Sequence, residues 1–226
     1  MNVIFGMPVK CVTTKIRDII KPLPNFSYVD HKYNAFYIDN CYRFISIRNP
    51  FPWYVSIYSA KSPWEQSSKY FMNNNSFSQF VKDTTINQKD ILRWFGHNSR
   101  IIKPIQTYLH NSIGLLSTFF IFHNFKEWQS ILLEKHPDKF VLDNYDTLTK
   151  VDTIIKTENL KSETTAMLKK LNVNESFINA INFDTKINIS KHDAFDVYYT
   201  SETKDIIKEK ENLIIKLFYK KGEDLL

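Results

Sequence analysis

The chain has 226 residues, 43% of them hydrophobic and 15% aromatic, with 30 Lys and Arg against 24 Asp and Glu for a formal charge of +6. That length and apolar content suffice for a sizeable buried core in one domain spanning residues 1–226, and they argue against disorder along most of the chain. The basic residues are scattered rather than blocked, which suits an anionic cofactor or substrate and carries no specific nucleic-acid signal.

Cys11 and Cys41 make neither a disulfide framework nor a CxxC pair, so a reducing compartment, and with it a cytoplasmic location, is expected. The N-terminal apolar segment is too short for a signal peptide, and the longest apolar run, Ile113 to Phe122, is too short for a bilayer span. A soluble protein without a membrane span is expected; its oligomeric state stays open.

In chain order, Asn2 to Phe5 reads as a strand. Gly6 to Val12 follows as a loop, and Ile16, Ile19 and Ile20 then recur at helical spacing, which places Thr13 and Thr14 near a helix N-terminus. A strand, a tight loop carrying Lys10, and hydroxyls at a helix start make the geometry of a phosphate cradle. The loop lacks the GxxxxGK[ST] pattern of nucleoside triphosphatases, which weighs against an ATPase or GTPase. Phe26 to Val29 reads as a second strand, closing on Asp30-His31-Lys32-Tyr33.

Tyr42 to Ile47 is a strand that can be buried on both faces. Asn49-Pro50 and Pro52 stop it, and a helix is expected to begin near Pro52, because proline is tolerated just inside a helix start. Arg48 then stands at the carboxyl end of the strand and Ser56 about one turn into the helix. A guanidinium, a hydroxyl and free backbone N–H groups can there converge on one anion.

From Lys61 to Arg100 the chain is polar and irregular, with short helices marked by Phe77, Phe80 and Val81 and by Ile91, Trp94 and Phe95. Trp64, Tyr70, Phe71 and Trp94 can stack on a sugar or fill the core; core is the better reading for Trp94, and Trp64 stays open. Phe125, Trp128, Ile131 and Leu132 have helical spacing, and Asp138 to Asp146 reads as a loop or short strand. His97, His110, His123 and His136 form neither HxH nor HExxH, so no metal is expected. Val151 to Lys156 is a strand leading through Thr157-Glu158-Asn159 into a helix along Thr164, Met167, Leu168 and Leu171, with Glu158 as a structural bridge between them. Ile206, Ile207, Leu213, Ile214 and Leu217 mark one closing helix.

Four of these blocks resemble, in order, segments of the sulfotransferase family that uses 3′-phosphoadenosine 5′-phosphosulfate (PAPS). Arg48-Asn49-Pro50-Phe51 with Val55-Ser56-Ile57-Tyr58 is similar to the family's arginine-(asp/asn)-pro … val-ser-x-tyr segment, and the resemblance implies that Arg48 and Ser56 hold the 3′-phosphate. Pro8 to Thr14 resembles the 5′-phosphosulfate loop, pro-lys-x-gly-thr-thr/ser. It implies that Lys10, the backbone N–H groups of Cys11 and Val12, and the Thr13 and Thr14 hydroxyls hold the phosphosulfate.

Val9 is an extra residue in that loop, and Val12 stands where glycine is usual. A β-branched residue does not easily take a positive φ, so either the loop is built differently or the register is off by one.

Val151 to Leu160 is similar to the family's val-asp-phe-ile-ile-arg-(thr/tyr)-glu-(asn/asp)-leu, with Lys156 in place of Arg. The Asn188-x-Ser190-Lys191 segment resembles one that packs over the nucleotide end of the site, making Ser190 and Lys191 candidate cofactor contacts; a surface loop is the bland alternative. His31 to Phe36 resembles the segment that carries the general base in carbohydrate sulfotransferases. The resemblance thus implies His31 as base, with Lys10 also catalytic, against the bland reading of His31 as a surface histidine.

As a whole the resemblance implies an α/β, P-loop-like three-layer fold with a central mostly parallel sheet flanked by helices. The implied activity is sulfuryl transfer from PAPS to an acceptor hydroxyl, on a carbohydrate. The alternative is a catalytically inactive relative that binds an anionic glycan or a protein partner.

Overall fold

The computed structural model describes residues 1–6, 11–29, 34, 36, 38–59, 76–86, 102–184 and 193–219. Four strands form its sheet: β1 (Asn2–Gly6), β2 (Phe26–Val29), β3 (Cys41–Ile47) and β4 (Thr153–Lys156). They lie in the order β2-β1-β3-β4, and every pairing is parallel. Parallel neighbours require crossovers, and crossovers put helices on both faces of the sheet. The result is a three-layer α/β fold.

The residues of β3 show why. Tyr42 and Phe44 point to one face and Ile45 and Ile47 to the other, and all four are buried. The first face carries α1 (Thr13–Ile20), α7 (Leu160–Lys170) and α8 (Glu175–Ala180), which pack Ile16, Ile20, Met167, Leu168 and Ile178 against Phe5 and Phe44. Phe5 and Phe44 stack with ring centroids 4.9 Å apart.

The second face carries α2 (Pro50–Tyr58), α3 (Phe77–Thr85) and α4 (Leu115–Asn124) in one continuous core. With them pack α5 (Trp128–Leu133), α6 (Pro137–Asn144), α9 (Ser201–Lys210) and α10 (Asn212–Phe218). Every residue of α4 is buried, so this run is a core helix. Among the described residues no helix is long and apolar enough to cross a membrane.

Three local expectations need correction. Asp138 to Asp146 lies mostly in α6; Pro137 opens that helix and Val141 anchors it in the core. The helix after β3 begins at Pro50, because Asn49 accepts a hydrogen bond from the Phe51 N–H and caps it. Ser56 is therefore about two turns in rather than one, on the Asn49 face. The closing helix is two helices, broken at Glu211, whose side chain turns into the core.

There the Glu211 carboxylate meets the start of α4. Oε1 accepts from the Leu116 N–H (3.0 Å) and the Tyr54 hydroxyl (2.6 Å), and Oε2 from the Ser117 N–H (2.8 Å) and Oγ (2.6 Å). A negative group at a helix N-terminus satisfies N–H groups that lack intrahelical partners. Gly114 is required beside it, since a Cβ there would collide with Glu211 Oε1.

Candidate functional site at the β1 and β3 carboxyl ends

The helix after β1 covers one face of the sheet and the helix after β3 covers the other. The two strands are adjacent, so their carboxyl ends flank a topological switch point, the place where open α/β sheets bind ligands. Both stretches that the sequence marks as anion-binding candidates lead here.

On the β1 side, Val12 precedes α1 with φ 56° and ψ 26°, the left-handed conformation. Val12 thus takes the conformation that glycine would take freely, at a strain of about 1–2 kcal/mol. Thr13 and Thr14 open the helix, and no side chain caps it. Its first-turn N–H groups and partial positive charge face the strand end. Lys15, in the same turn, is buried and donates to the Asn182 carbonyl over 2.5 Å, tying α1 to the end of α8.

On the β3 side, Arg48 leaves the strand beside Cys11. The Ser46 hydroxyl donates to the Cys11 carbonyl (2.6 Å), joining β3 to the residue that precedes Val12. Burial pushes the Cys11 thiol up, opposed by the charge and backbone N–H of Arg48 and reinforced by Glu158. Burial likewise pushes the Arg48 guanidinium down from its ordinary value, offset by Cys11, Glu158, Tyr219 and Tyr199. A half-buried guanidinium is a better partner for an anion than one on the open surface, because its charge is less screened.

The turn that presents Arg48 is fixed from three directions. Glu158 Oε1 accepts from the Asn49 N–H at 2.8 Å, and Glu158 Oε2 from the Tyr219 hydroxyl at 2.9 Å. The Tyr199 hydroxyl donates to the Phe51 carbonyl at 2.6 Å, with the two rings edge to face. Burial raises both tyrosines, Tyr219 further through Glu158, so both hydroxyls keep their protons and act as donors near neutrality.

Cys11, Val12, Thr13, Thr14 and Arg48 are thus gathered at one edge, with Ser56 buried along α2. Lys10, His31, Ser190 and Lys191 lie outside the described residues, as do Trp64, Tyr70, Phe71 and Trp94. Past His31, Asn34 is buried and donates to the Phe122 and Phe125 carbonyls at the end of α4. Among the described residues no group of three or more His, Cys, Asp or Glu could hold a metal ion.

The sequence analysis gave neither Tyr199 nor Tyr219 a place beside Arg48. Nothing local marks Tyr219, whose partner is 61 residues away in the chain.

This architecture defines a three-layer α/β protein whose sheet switch point brings a helix start and an arginine together. No family model, curated protein or solved structure matches the chain.

Proposed function

We propose that the protein is a sulfotransferase that moves a sulfuryl group from PAPS to an acceptor hydroxyl on a carbohydrate. One observation supports the proposal: the start of α1, entered through a left-handed Val12, stands beside a half-buried Arg48 across the β1–β3 switch point. A nucleotide phosphorylated at both ends of its adenosine needs two such groups near each other, one an N–H-lined helix start and one a guanidinium. The donor set fits it.

In this reading the first turn of α1, with the Thr13 and Thr14 hydroxyls, binds the 5′ end, and the backbone N–H groups of Cys11 and Val12 line its approach. Arg48 and Ser56 bind the 3′-phosphate. Lys10 steadies the charge that grows on the leaving phosphate, a task for positioned cations and N–H donors. His31 takes the proton of the acceptor hydroxyl, which an imidazole with an ordinary value of about 6.5 does near neutrality. Ser190 and Lys191 close over the nucleotide. Bound PAPS supplies a sulfuryl group whose S–O bond to phosphate breaks as the acceptor oxygen bonds sulfur.

A thermal-shift comparison of PAP, the desulfated product, with ADP and with ATP plus magnesium tests the reading. A ligand at 100 times its Kd stabilises by about 2.7 kcal/mol, so a shift with PAP alone is expected. A shift only with ATP and magnesium makes the protein a nucleotide kinase instead. His31→Ala is expected to abolish turnover while PAP still binds; retained turnover removes His31 from the base role.

The second reading, an inactive relative binding an anionic glycan or a protein partner, draws on Val12. Its branched side chain stands on a turn where glycine would leave the backbone open to close approach. No shift with any nucleotide favours that reading.

A further inference from the structure

Residues 199–219 reach the helix after β3 at three points. At one end the Tyr199 hydroxyl donates to the Phe51 carbonyl at 2.6 Å, and the two rings meet edge to face with centroids 5.3 Å apart. At the other end the Tyr219 hydroxyl donates to Glu158 Oε2 at 2.9 Å, while Glu158 Oε1 accepts from the N–H of Asn49, the cap of α2, at 2.8 Å. Between them the Tyr54 hydroxyl, one turn beyond Phe51 on α2, donates to Glu211 Oε1 at 2.6 Å.

The break at Glu211 makes this possible. A single helix from Ser201 to Phe218 would be about 27 Å long at 1.5 Å per residue and would carry Tyr219 far from the turn that Tyr199 holds. Because α9 ends at Lys210 and α10 starts at Asn212, the chain goes out and comes back. The bend itself is pinned to the start of α4: the Gly114 N–H donates to the Lys210 carbonyl at 2.7 Å, and the Leu116 and Ser117 N–H groups and the Ser117 hydroxyl hold the Glu211 carboxylate. Glu211 is 0% exposed, so water does not replace a donor lost there.

We infer that residues 199–219 form a strap closed over the start of α2, clasped by Tyr199 and Tyr219 at its ends and by Glu211 at its bend, which opens as one unit with the Asn49 turn. Each clasp sits at an end of α9 or α10, and a rigid helix passes a displacement at one end to the other. A disturbance at the bend is then felt at the Asn49 turn, beside the carboxyl end of β3. The inference does not rest on the proposed function.

The test is native-state hydrogen exchange of the full chain, read residue by residue by NMR, for the unmodified protein, Ser117→Ala and Tyr199→Phe. Ser117→Ala removes one donor at the bend and leaves the carboxylate three; Tyr199→Phe removes the bond at one end and keeps the ring contact. In the unmodified chain the amides of α9 and α10 and those of Asn49 and Phe51 are expected to share one opening free energy, below that of β1. Ser117→Ala is expected to speed exchange of both groups by a common factor of about tenfold, the scale of one hydrogen bond to a charged group, and Tyr199→Phe by a smaller common factor.

Faster exchange in α9 and α10 with Asn49 and Phe51 unchanged overturns the inference, because the bend then holds only its own helices. Unequal opening free energies for the two groups in the unmodified chain overturn it as well. So does a strap that exchanges together with β1, since it then opens only when the whole fold does.

Discussion

The Ser46 hydroxyl and the Cys11 carbonyl, 35 residues apart in sequence, meet at 2.6 Å between the ends of adjacent parallel strands. Ser46 is 1% exposed, so no water replaces it if it is lost. The bond fixes the spacing between the helix start after β1 and the arginine after β3, the spacing that PAP would bridge if the proposed function holds. Ser46→Ala leaves a buried carbonyl without this donor and is expected to cost about 1–3 kcal/mol in chemical denaturation, with weaker PAP binding besides. Full affinity in a destabilised Ser46→Ala protein would show that the bond holds the sheet and not the site.

Val12 offers a test of stored strain. Replacing it by Gly removes an unfavourable left-handed Val, worth about 1–2 kcal/mol, and adds chain freedom to the unfolded state, costing about 0.4–1 kcal/mol. The net change is expected between about zero and 1.6 kcal/mol in favour of the glycine. Thr13→Gly, one residue later in ordinary helical geometry, is expected to cost about 0.3 kcal/mol from helix propensity alone, because threonine is itself a poor helix former. Paired urea melts check this, and a Val12→Gly loss larger than that of Thr13→Gly overturns it.

How far the sequence disclosed this arrangement follows from where each interaction lives. The strands at Asn2, Phe26, Tyr42 and Thr153 and the helix at Thr13 were legible because periodicity and turn residues are local signals. So were the two strand ends that carry Thr13, Thr14 and Arg48. Asp138 to Asp146 was misread because its apolar residues Phe140, Val141 and Leu142 are consecutive, as in a short strand, although they and Tyr145 all pack on the core from one helix. The break at Glu211 was invisible for a different reason. Ile207 and Leu213 continue a helical rhythm, and what interrupts it is the pull of N–H groups some 95 residues away. Tyr219 and Glu158 pair by the same kind of long-range contact.

Glu211 gives a pH dependence whose sign is fixed by burial. Burial raises its carboxyl from 4.5 to about 7, with the Ser117, Tyr54 and Leu116 donors pulling the other way. The folded protein therefore binds this proton more tightly than the unfolded chain does. Its contribution is fully present below about pH 4.5 and is lost as pH rises through about 7. The stability difference between the unmodified protein and Glu211→Gln is expected to shrink across that window. Denaturation midpoints taken between those limits measure it; a difference that grows with pH means that the four donors outweigh burial and hold the carboxylate charged.

Arg48→Lys separates a charge from a shape. Lysine keeps the positive charge but offers a compact ammonium in place of the planar fork that grips two oxygens of one phosphate. If Arg48 holds the 3′-phosphate, PAP affinity is expected to fall by about tenfold or more, while ADP, which lacks that phosphate, binds each variant equally weakly. Glu158 sharpens the contrast, because the freer rotation of an ammonium lets it settle onto the Glu158 carboxylate at the Asn49 turn. Adding Glu158→Gln to Arg48→Lys should then recover part of the loss, since the ammonium no longer has that carboxylate to settle on. Calorimetric titration of both nucleotides against the three proteins decides the matter. Equal losses for PAP and ADP would place Arg48 at the shared part of the nucleotide and remove it from the 3′ end.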